Sequence, residues 1–374
     1  MQLRKLENNE HGQTRELWEK VFAEDSREFL DYYYFIKTRD NQIYVIEEDG
    51  AIRSMLQLNP YMLQIEEQQF QCRYIIAVAT EENYRKRGYM GALLRKSMLD
   101  MYAQKEPFTF LMPAAEAIYT PYDFRFIYAQ NQCESMGADE ADAELTDAKM
   151  RDAAEMAAFF NGHFARSYQV YAVRDEKYYQ TMILEQQSEN GGVMLIRKEQ
   201  KIVGMFAYAC EEDRAEIREP LYLDGYEAEF QKAVSALRGG RTEPVRIYAC
   251  SGGEKIKKVP VIMARILHLE TLLSAMKVKE GESLTCSFAV LDSLITKNSR
   301  VWKLTAGDDG RGIQVRETED SEGVITIGAL AGFLFGYKTV EEIREEDGVI
   351  IPDRLGAELK KIQTLEHVFL NEIV

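Results

Sequence analysis

Between the apolar stretch Tyr74-Ile75-Ile76-Ala77-Val78-Ala79 and a helical pattern, the sequence places Arg85-Lys86-Arg87-Gly88-Tyr89-Met90-Gly91. Residues of these types at such a junction are suited to holding an anion. A helix start carries N–H groups without intrahelical partners and a positive partial charge, so it attracts a pyrophosphate. Gly88 and Gly91 remove Cβ atoms where phosphates would touch backbone, and Arg85, Lys86 and Arg87 supply charge at the rim. Cations here oppose the helix dipole unless an anion lies between them, which favours a site over a merely solvated basic loop. The spacing is neither a Walker A loop nor the three-glycine dinucleotide fingerprint. Two elements must position the loop: a strand through 74–79, and a helix whose Met90, Leu93, Leu94, Ser97, Met98 and Met101 form one apolar stripe.

A chain of 374 residues with 46% hydrophobic content is expected to form two or three units with buried cores. Its 62 acidic against 46 basic residues give a net charge of −16, which argues against nucleic acid or anionic membranes as partners and favours a cationic substrate. Cys72, Cys133, Cys210, Cys250 and Cys286 are scattered, without metal or redox spacing, and read as reduced core thiols. His11, His163, His268 and His367 form no metal pair, so neither a metal nor a histidine triad is expected. There is no leader-like start and no long apolar run, hence no membrane; a cytoplasmic location is expected.

In chain order, 13–36 reads as two helices broken at Glu24-Asp25-Ser26, with Ser26 as a cap. A hairpin is expected from 43–46 and 51–58 about Asp49-Gly50, a further strand at 61–66, and a strand at 108–112 ahead of Ala114–Tyr119. Helices are expected at 146–160 and 175–186. The stretch 193–205 matches the first hairpin at an offset of 150 residues, with Ile46 on Ile196, Ile52 on Ile202 and Met55 on Met205. A strand at 216–223 and a helix at 226–237 continue that order. Asp224-Gly225-Tyr226 carries no Arg-x-x-Gly loop, so this second unit cannot hold a pyrophosphate in the same way. Residues 251–255 read as a hairpin or bulge. From 263 onward we expect a helix at 266–276, short strands at 281–292, 299–305, 312–317 and 324–327, and a packed helix ending at Gly336.

The basic loop resembles the acyl-CoA pyrophosphate loop of the GNAT acetyltransferase superfamily, Arg/Gln-x-x-Gly-x-Gly/Ala. Arg85 and Gly88 match, and Met90 stands where the second small residue usually is. Together with Ala115-Glu116-Ala117-Ile118-Tyr119 and the run Gly328–Gly336, it makes the chain similar to the enhanced intracellular survival (Eis) family. That family usually has Ser-Glu-Gly-Gly before Ile-Tyr. The resemblance implies an α+β fold of two tandem GNAT-type domains with mostly antiparallel sheet, 1–130 catalytic and 131–262 degenerate, then a sterol-carrier-like α/β domain at 263–374. It implies acetyl-CoA as co-substrate, held by Val78, Ala79 and Thr80 and by Arg85, Lys86, Arg87, Gly88, Tyr89, Met90 and Gly91. Tyr119 takes the place of the general acid, the terminal carboxylate, here of Val374, that of the general base, and the assembly is a homohexamer.

The residues give this a chemical reason. Val368-Phe369-Leu370-Asn371-Glu372-Ile373-Val374 is largely apolar, and burying such an end raises a terminal carboxyl from about 3.5, making it a better proton acceptor. Acetyl transfer to an ammonium needs a base for the amine and an acid for the departing thiolate. The expected activity is acetyl-CoA-dependent N-acetylation of an aminoglycoside-like compound, a polyamine or a lysine, with Glu372 and Asp25 as attractors. A longer-chain N-acyltransferase and a lipid or ligand carrier are the competing readings.

Overall fold

The computed structural model describes residues 1–252, 255–307 and 312–372. Val374, the expected base, lies outside the described residues, as do 253–254 of the stretch 251–255.

The first unit opens with β1 (Gln2–Lys5), α1 (Arg15–Val21) and α2 (Arg27–Phe35). Ser26 caps α2, its Oγ accepting the Phe29 N–H at 3.0 Å. β2 (Gln42–Glu48) and β3 (Ala51–Ile65) turn about Asp49 and Gly50, both at positive φ (54° and 74°), the twist-matched hairpin that Asp-Gly favours. The separate strand expected at 61–66 is the far half of β3. β4 (Gln68–Thr80) returns antiparallel, α3 (Tyr89–Ala103) crosses over, and β5 (Phe108–Leu111) lies parallel to β4; α4 (Glu116–Tyr119) and β6 (Arg125–Ser135) follow. The apolar stripe of α3 buries Leu93, Leu94, Ser97, Met98 and Met101.

The second unit comprises β7 (Glu144–Asp147), α5 (Ala153–His163), β8 (Val170–Ala172), α6 (Glu176–Ser188), β9 (Gly192–Lys198), β10 (Lys201–Cys210), β11 (Ala215–Tyr222), α7 (Glu227–Arg238), β12 (Val245–Tyr248) and β13 (Lys257–Ile266). The helix expected from 146 starts later, at Ala153. Leu145 and its neighbours pair with β9 instead, and Asp152 accepts the Lys149 N–H at 2.7 Å, fixing the first helical turn beyond the strand. The offset of 150 holds in detail. Register slips by one residue between Ile46↔Ser54 and Glu47↔Ile52 in the first hairpin, and between Ile196↔Gly204 and Arg197↔Ile202 in the second. β11 and β12 run parallel with α7 between them, as β4 and β5 do with α3. Both units therefore follow one GNAT-type order.

The third unit contains α8 (Leu269–Ala275), β14 (Lys277–Val278), β15 (Leu284–Leu291), β16 (Val301–Ala306), β17 (Gln314–Thr318), β18 (Val324–Thr326), α9 (Ile327–Leu334), α10 (Val340–Arg344), α11 (Asp353–Leu359), β19 (Ile362–Gln363) and β20 (Val368–Phe369). α8 starts three residues after the expected 266 because Met263–Ile266 pair with β5. One sheet runs β1-β2-β3-β4-β5-β13-β6-β12-β11-β10-β9-β7 through the first two units, and β17-β16-β15-β18 is a separate sheet. The third unit packs on the first: Phe108 and Phe110 share a core with Leu330 and Phe335, the rings of Phe108 and Phe335 meeting edge-on at 5.1 Å. β20 then leaves it to pair with β8, which in turn pairs with β3. No described helix is long and apolar enough to cross a membrane.

Candidate active site

β4 makes the site by parting from its neighbour. Its register with β3 gains a residue between Ile76 and Ala79, where Ala77 takes positive φ (50°), a bulge that bends the strand. β4 and β5 share a single register pair, Tyr74↔Phe110. Beyond it the β5-facing edge of β4, through Val78 to Thr80, has no strand beside it among the described residues, the kind of edge to which an extended ligand can add. Ala79 is buried, its carbonyl accepting Ser54 Oγ at 2.9 Å, and Thr80 Oγ1 lies 2.8 Å from the same Ser54 Oγ.

The basic loop follows at once. The Thr80 carbonyl accepts Arg85 Nε at 3.2 Å, and Lys86 and Gly88 take positive φ (62° and 81°), coiling the chain into α3. Gly88 is the N-cap, so no side chain caps the first turn, and a Cβ on Gly88 would meet nothing within 4 Å. An uncapped helix start beside open space fits a pyrophosphate. Arg85, Lys86 and Arg87 are exposed; the Arg87 guanidinium lies 4.6 Å from the Tyr84 ring centre and 3.8 Å from Glu48. Tyr89 is buried and donates to Glu48, so it anchors the helix start, while Met90 packs on the α3 core. Gly91 answers a different neighbour from the one its sequence position suggests: a Cβ there would fall 2.7 Å from Tyr122 Oη, so its bare Cα makes room for a phenol.

Tyr119 ends α4 with its ring edge-on to Phe124 at 5.8 Å. It is buried, and desolvation pushes its phenol up to about 12. Its hydroxyl makes no hydrogen bond among the described residues and stays protonated at neutral pH. The turn behind it closes at Asp123, 3.8 Å from the buried Arg265 of β13, which pairs with Asp292 at 2.5 Å. Tyr74 Oη accepts the Met112 N–H at 3.4 Å, and burial pushes its phenol upward.

Glu372 belongs to a cleft of about 320 Å³ between the first two units, lined among others by Lys37, Tyr61, Tyr178, Glu185, Glu219 and Asn371. Lys37 Nζ donates to Tyr61 Oη at 2.9 Å and stands 3.5 Å from Glu185, which also accepts Tyr32 Oη at 3.0 Å. The chain end is led here by β20. Phe369 stacks on Tyr168 with centroids 4.4 Å apart, and Asn371 Oδ1 accepts both Tyr128 Oη and Gln130 Nε2 at 3.0 Å. Glu372 is only 4% exposed. Its Oε1 accepts Tyr178 Oη at 3.1 Å and lies 3.7 Å from Arg174 Nη2; its Oε2 has no partner among the described residues. Burial pushes this carboxyl up to about 7 against the pull of Arg174. Arg174 is wholly buried, bonds Glu219 with both Nη atoms (Nη2–Oε2 2.8 Å), and lies 4.6 to 4.9 Å from the ring centres of Phe160, Phe369 and Tyr178.

The structure thus gathers Val78–Thr80, Arg85–Gly88 and the start of α3 along one edge, and brings Glu372 into the cleft. Asp25 is placed elsewhere: its carboxylate accepts Trp18 Nε1 at 2.6 Å and does not line the cleft. Sequence reasoning does not single out Arg174 or Glu219. The available signal was a charge closing the apolar run Val170-Tyr171-Ala172-Val173.

Residues 2–127 match the acetyltransferase (GNAT) domain family and residues 269–373 the sterol carrier protein domain family. No curated protein matches the sequence. Among solved structures, a conserved protein of unknown function from Enterococcus faecalis, described as a probable N-acyltransferase, superposes with a TM-score of 0.81 at 18% identity, covering 98% of this chain and 99% of that one. A GCN5-related N-acetyltransferase from Anabaena variabilis gives 0.78 at 15% identity with 98% of each chain covered. Eis1 from Mycobacterium abscessus gives 0.72 at 13% identity over all of both chains. At these identities the likeness is one of fold, and it spans all three units.

Proposed function

We propose that this Eis-like chain, a GNAT acetyltransferase domain joined to a sterol carrier protein domain, is an acetyl-CoA-dependent N-acetyltransferase acting on a primary amine of a cationic acceptor, such as an aminoglycoside-like compound, a polyamine or a lysine. The observation that supports the reading best is the parted β4 edge, which shares only the Tyr74↔Phe110 pair with β5 and runs on to the uncapped start of α3 at Gly88. The pyrophosphate of acetyl-CoA would sit at Gly88 with Arg85, Lys86 and Arg87 around it, and the pantetheine arm would pair with backbone of Val78–Thr80. A backbone N–H of β4 then polarises the thioester carbonyl. The amine attacks that carbon, the C–S bond breaks, and Tyr119 protonates the thiolate, a phenol held near 12 being fully charged with its proton at the working pH. The base would be the terminal carboxylate of Val374, as the family resemblance implies; the same resemblance implies a homohexamer.

The test is a thiol-release assay with acetyl-CoA against polyamines, aminoglycosides and a lysine peptide, with longer acyl-CoAs as comparison. Turnover of acetyl-CoA with at least one amine, and a product heavier by one acetyl group, is expected. Acetyl-CoA binding without amine-dependent thiol release, or turnover confined to longer acyl chains, would refute it.

A further inference from the structure

We infer that Arg125 is the positioning residue through which the third unit holds Tyr119 in place for proton transfer. Resting on the reading of Tyr119 as the acid, it names what sets that acid's geometry. The Tyr119 hydroxyl makes no hydrogen bond among the described residues, so the phenol stands where its own backbone and the neighbouring Phe124 ring put it. That backbone is one tight turn. The Tyr119 carbonyl accepts the Phe124 N–H at 3.4 Å, the Thr120 carbonyl accepts the Asp123 N–H at 3.0 Å, and Asp123 takes positive φ (64°). A helix as short as α4 leaves the carbonyls at its end to find donors outside it. Arg125 is such a donor: its Nη1 reaches the Thr120 carbonyl at 3.3 Å and the Phe124 carbonyl at 2.9 Å, tying the two ends of the turn together.

The third unit decides where that guanidinium lies. Gly328 is the second residue of α9, and a Cβ on it would fall 2.9 Å from both Cζ and Nη2 of Arg125 and 3.2 Å from Nη1, so the bare Cα is the seat on which the guanidinium rests. The charge does nothing for α9. A cation in the first turn of a helix opposes its dipole, and α9 already has its own cap, Thr326 Oγ1 accepting the Ala329 N–H at 3.3 Å. The groups that benefit are the two carbonyls beside Tyr119. The turn's other supports come from elsewhere, Tyr122 meeting Gly91 of α3 and Asp123 lying 3.8 Å from Arg265 of β13. Arg125 adds the support from the third unit. A proton donor misplaced by about 1 Å can cost up to 100-fold in rate, so a turn freed on this side should slow the chemical step without touching the nucleotide loop.

The test is a double-mutant cycle on kcat, with whichever amine the thiol-release panel identifies. Arg125→Met should lower kcat about 10-fold while acetyl-CoA Kd and the amine KM stay within about two-fold, and Arg125→Lys, which keeps a charged donor, should lose less. In a Tyr119→Phe chain the same Arg125→Met change should alter kcat by less than about two-fold, because no acid is left to position. Gly328→Ala approaches from the other side: its methyl displaces the far end of a flexible side chain, and alanine is the better helix former, so Tm should hold or rise while kcat falls several-fold. An Arg125→Met enzyme within two-fold of wild type overturns the inference, as does an equal loss in the Tyr119→Phe background or a Gly328→Ala enzyme whose kcat is unchanged or falls only together with Tm. Tyr119→Phe at the wild-type rate, or a wild type that binds acetyl-CoA and releases no thiol with any amine, would instead strike the reading of the acid, and the inference with it.

Discussion

Arg174 offers the sharpest test of how the chain end is held, because its replacement by methionine keeps most of the side-chain volume while removing one charge. Arg174 is wholly buried, and Glu219 and Glu372 are 6% and 4% exposed. Removing the cation leaves two carboxylates in an apolar pocket beneath Phe160 and Phe369, and breaking a buried pair this way costs about 3–5 kcal/mol. Unfolding entropy of roughly 2.1 cal/mol/K per residue amounts over this chain to roughly 0.8 kcal/mol per degree, so Tm should fall by about 4–6 °C at pH 8. The deficit should shrink as pH falls. Without the guanidinium the Glu372 carboxyl, already raised by burial, is pushed further upward in the folded state, and a group raised on folding contributes stability present below its unfolded pKa and lost as pH rises through its folded one. The Arg174→Met penalty should therefore be clearly smaller at pH 5 than at pH 8, as read by differential scanning calorimetry at both. Equal losses of Tm at the two pH values would refute the electrostatic account and reduce Arg174 to a packing residue.

The donor side can be tested independently of the acceptor. Arg85→Ala should weaken acetyl-CoA binding about 10-fold by calorimetric titration, the loss of one charge-assisted contact of about 1.5 kcal/mol; Gly88→Glu should do more harm, adding a side chain at positive φ and a negative charge where the pyrophosphate would lie. Unchanged affinity in both would take the loop out of the nucleotide site. Tyr119→Phe should lower kcat about 100-fold with acetyl-CoA Kd unaltered, and a kcat within two-fold of wild type would remove the phenol from the chemistry.

What could be read in the sequence was whatever short-range chemistry dictates. The Asp49-Gly50 turn, the Ser26 cap and the α3 stripe need only their neighbours, and all three form as expected. The offset between hairpins was visible only as matching apolar positions, yet it extends to a shared register slip at the same place. Gly91 shows the limit of motif logic: its glycine is set by Tyr122, 31 residues further on, and no spacing rule reaches that far. The helix expected from 146 fails for a similar reason, since pairing of Leu145 with Ile196 across the sheet overrides the local preference of an alanine-rich run. Arg174, Glu219 and Glu372 come together from the segment after β8, from β11 and from the chain's end, a meeting only the folded topology creates.

The two GNAT-type units also show why one cleft can have unlike walls. Each carries a bulge at the same place: Ala77 in β4 opposite Leu56, and Glu219 in β11 opposite Phe206, both at positive φ (50° and 54°). In the first unit the bulged residue is small, the strand edge beyond it has no strand partner among the described residues, and the following helix starts at a bare glycine with cations before it. In the second, β11 and β12 pair only at Glu216↔Arg246 and Ile217↔Ile247, also ahead of the bulge, and the difference lies in the helix: α7 begins with Glu227 and Glu229, which satisfy its dipole from within the chain. An anionic ligand therefore has a place at the first helix and is repelled at the second. The second bulge instead turns a carboxylate toward Arg174, which fixes the strand carrying Phe369 and Glu372. On the proposed function the first irregularity would serve the acyl donor, while the second sets Glu219 against Arg174, so altering Glu219 should disturb the seating of Phe369 and Glu372 while leaving acetyl-CoA binding in place.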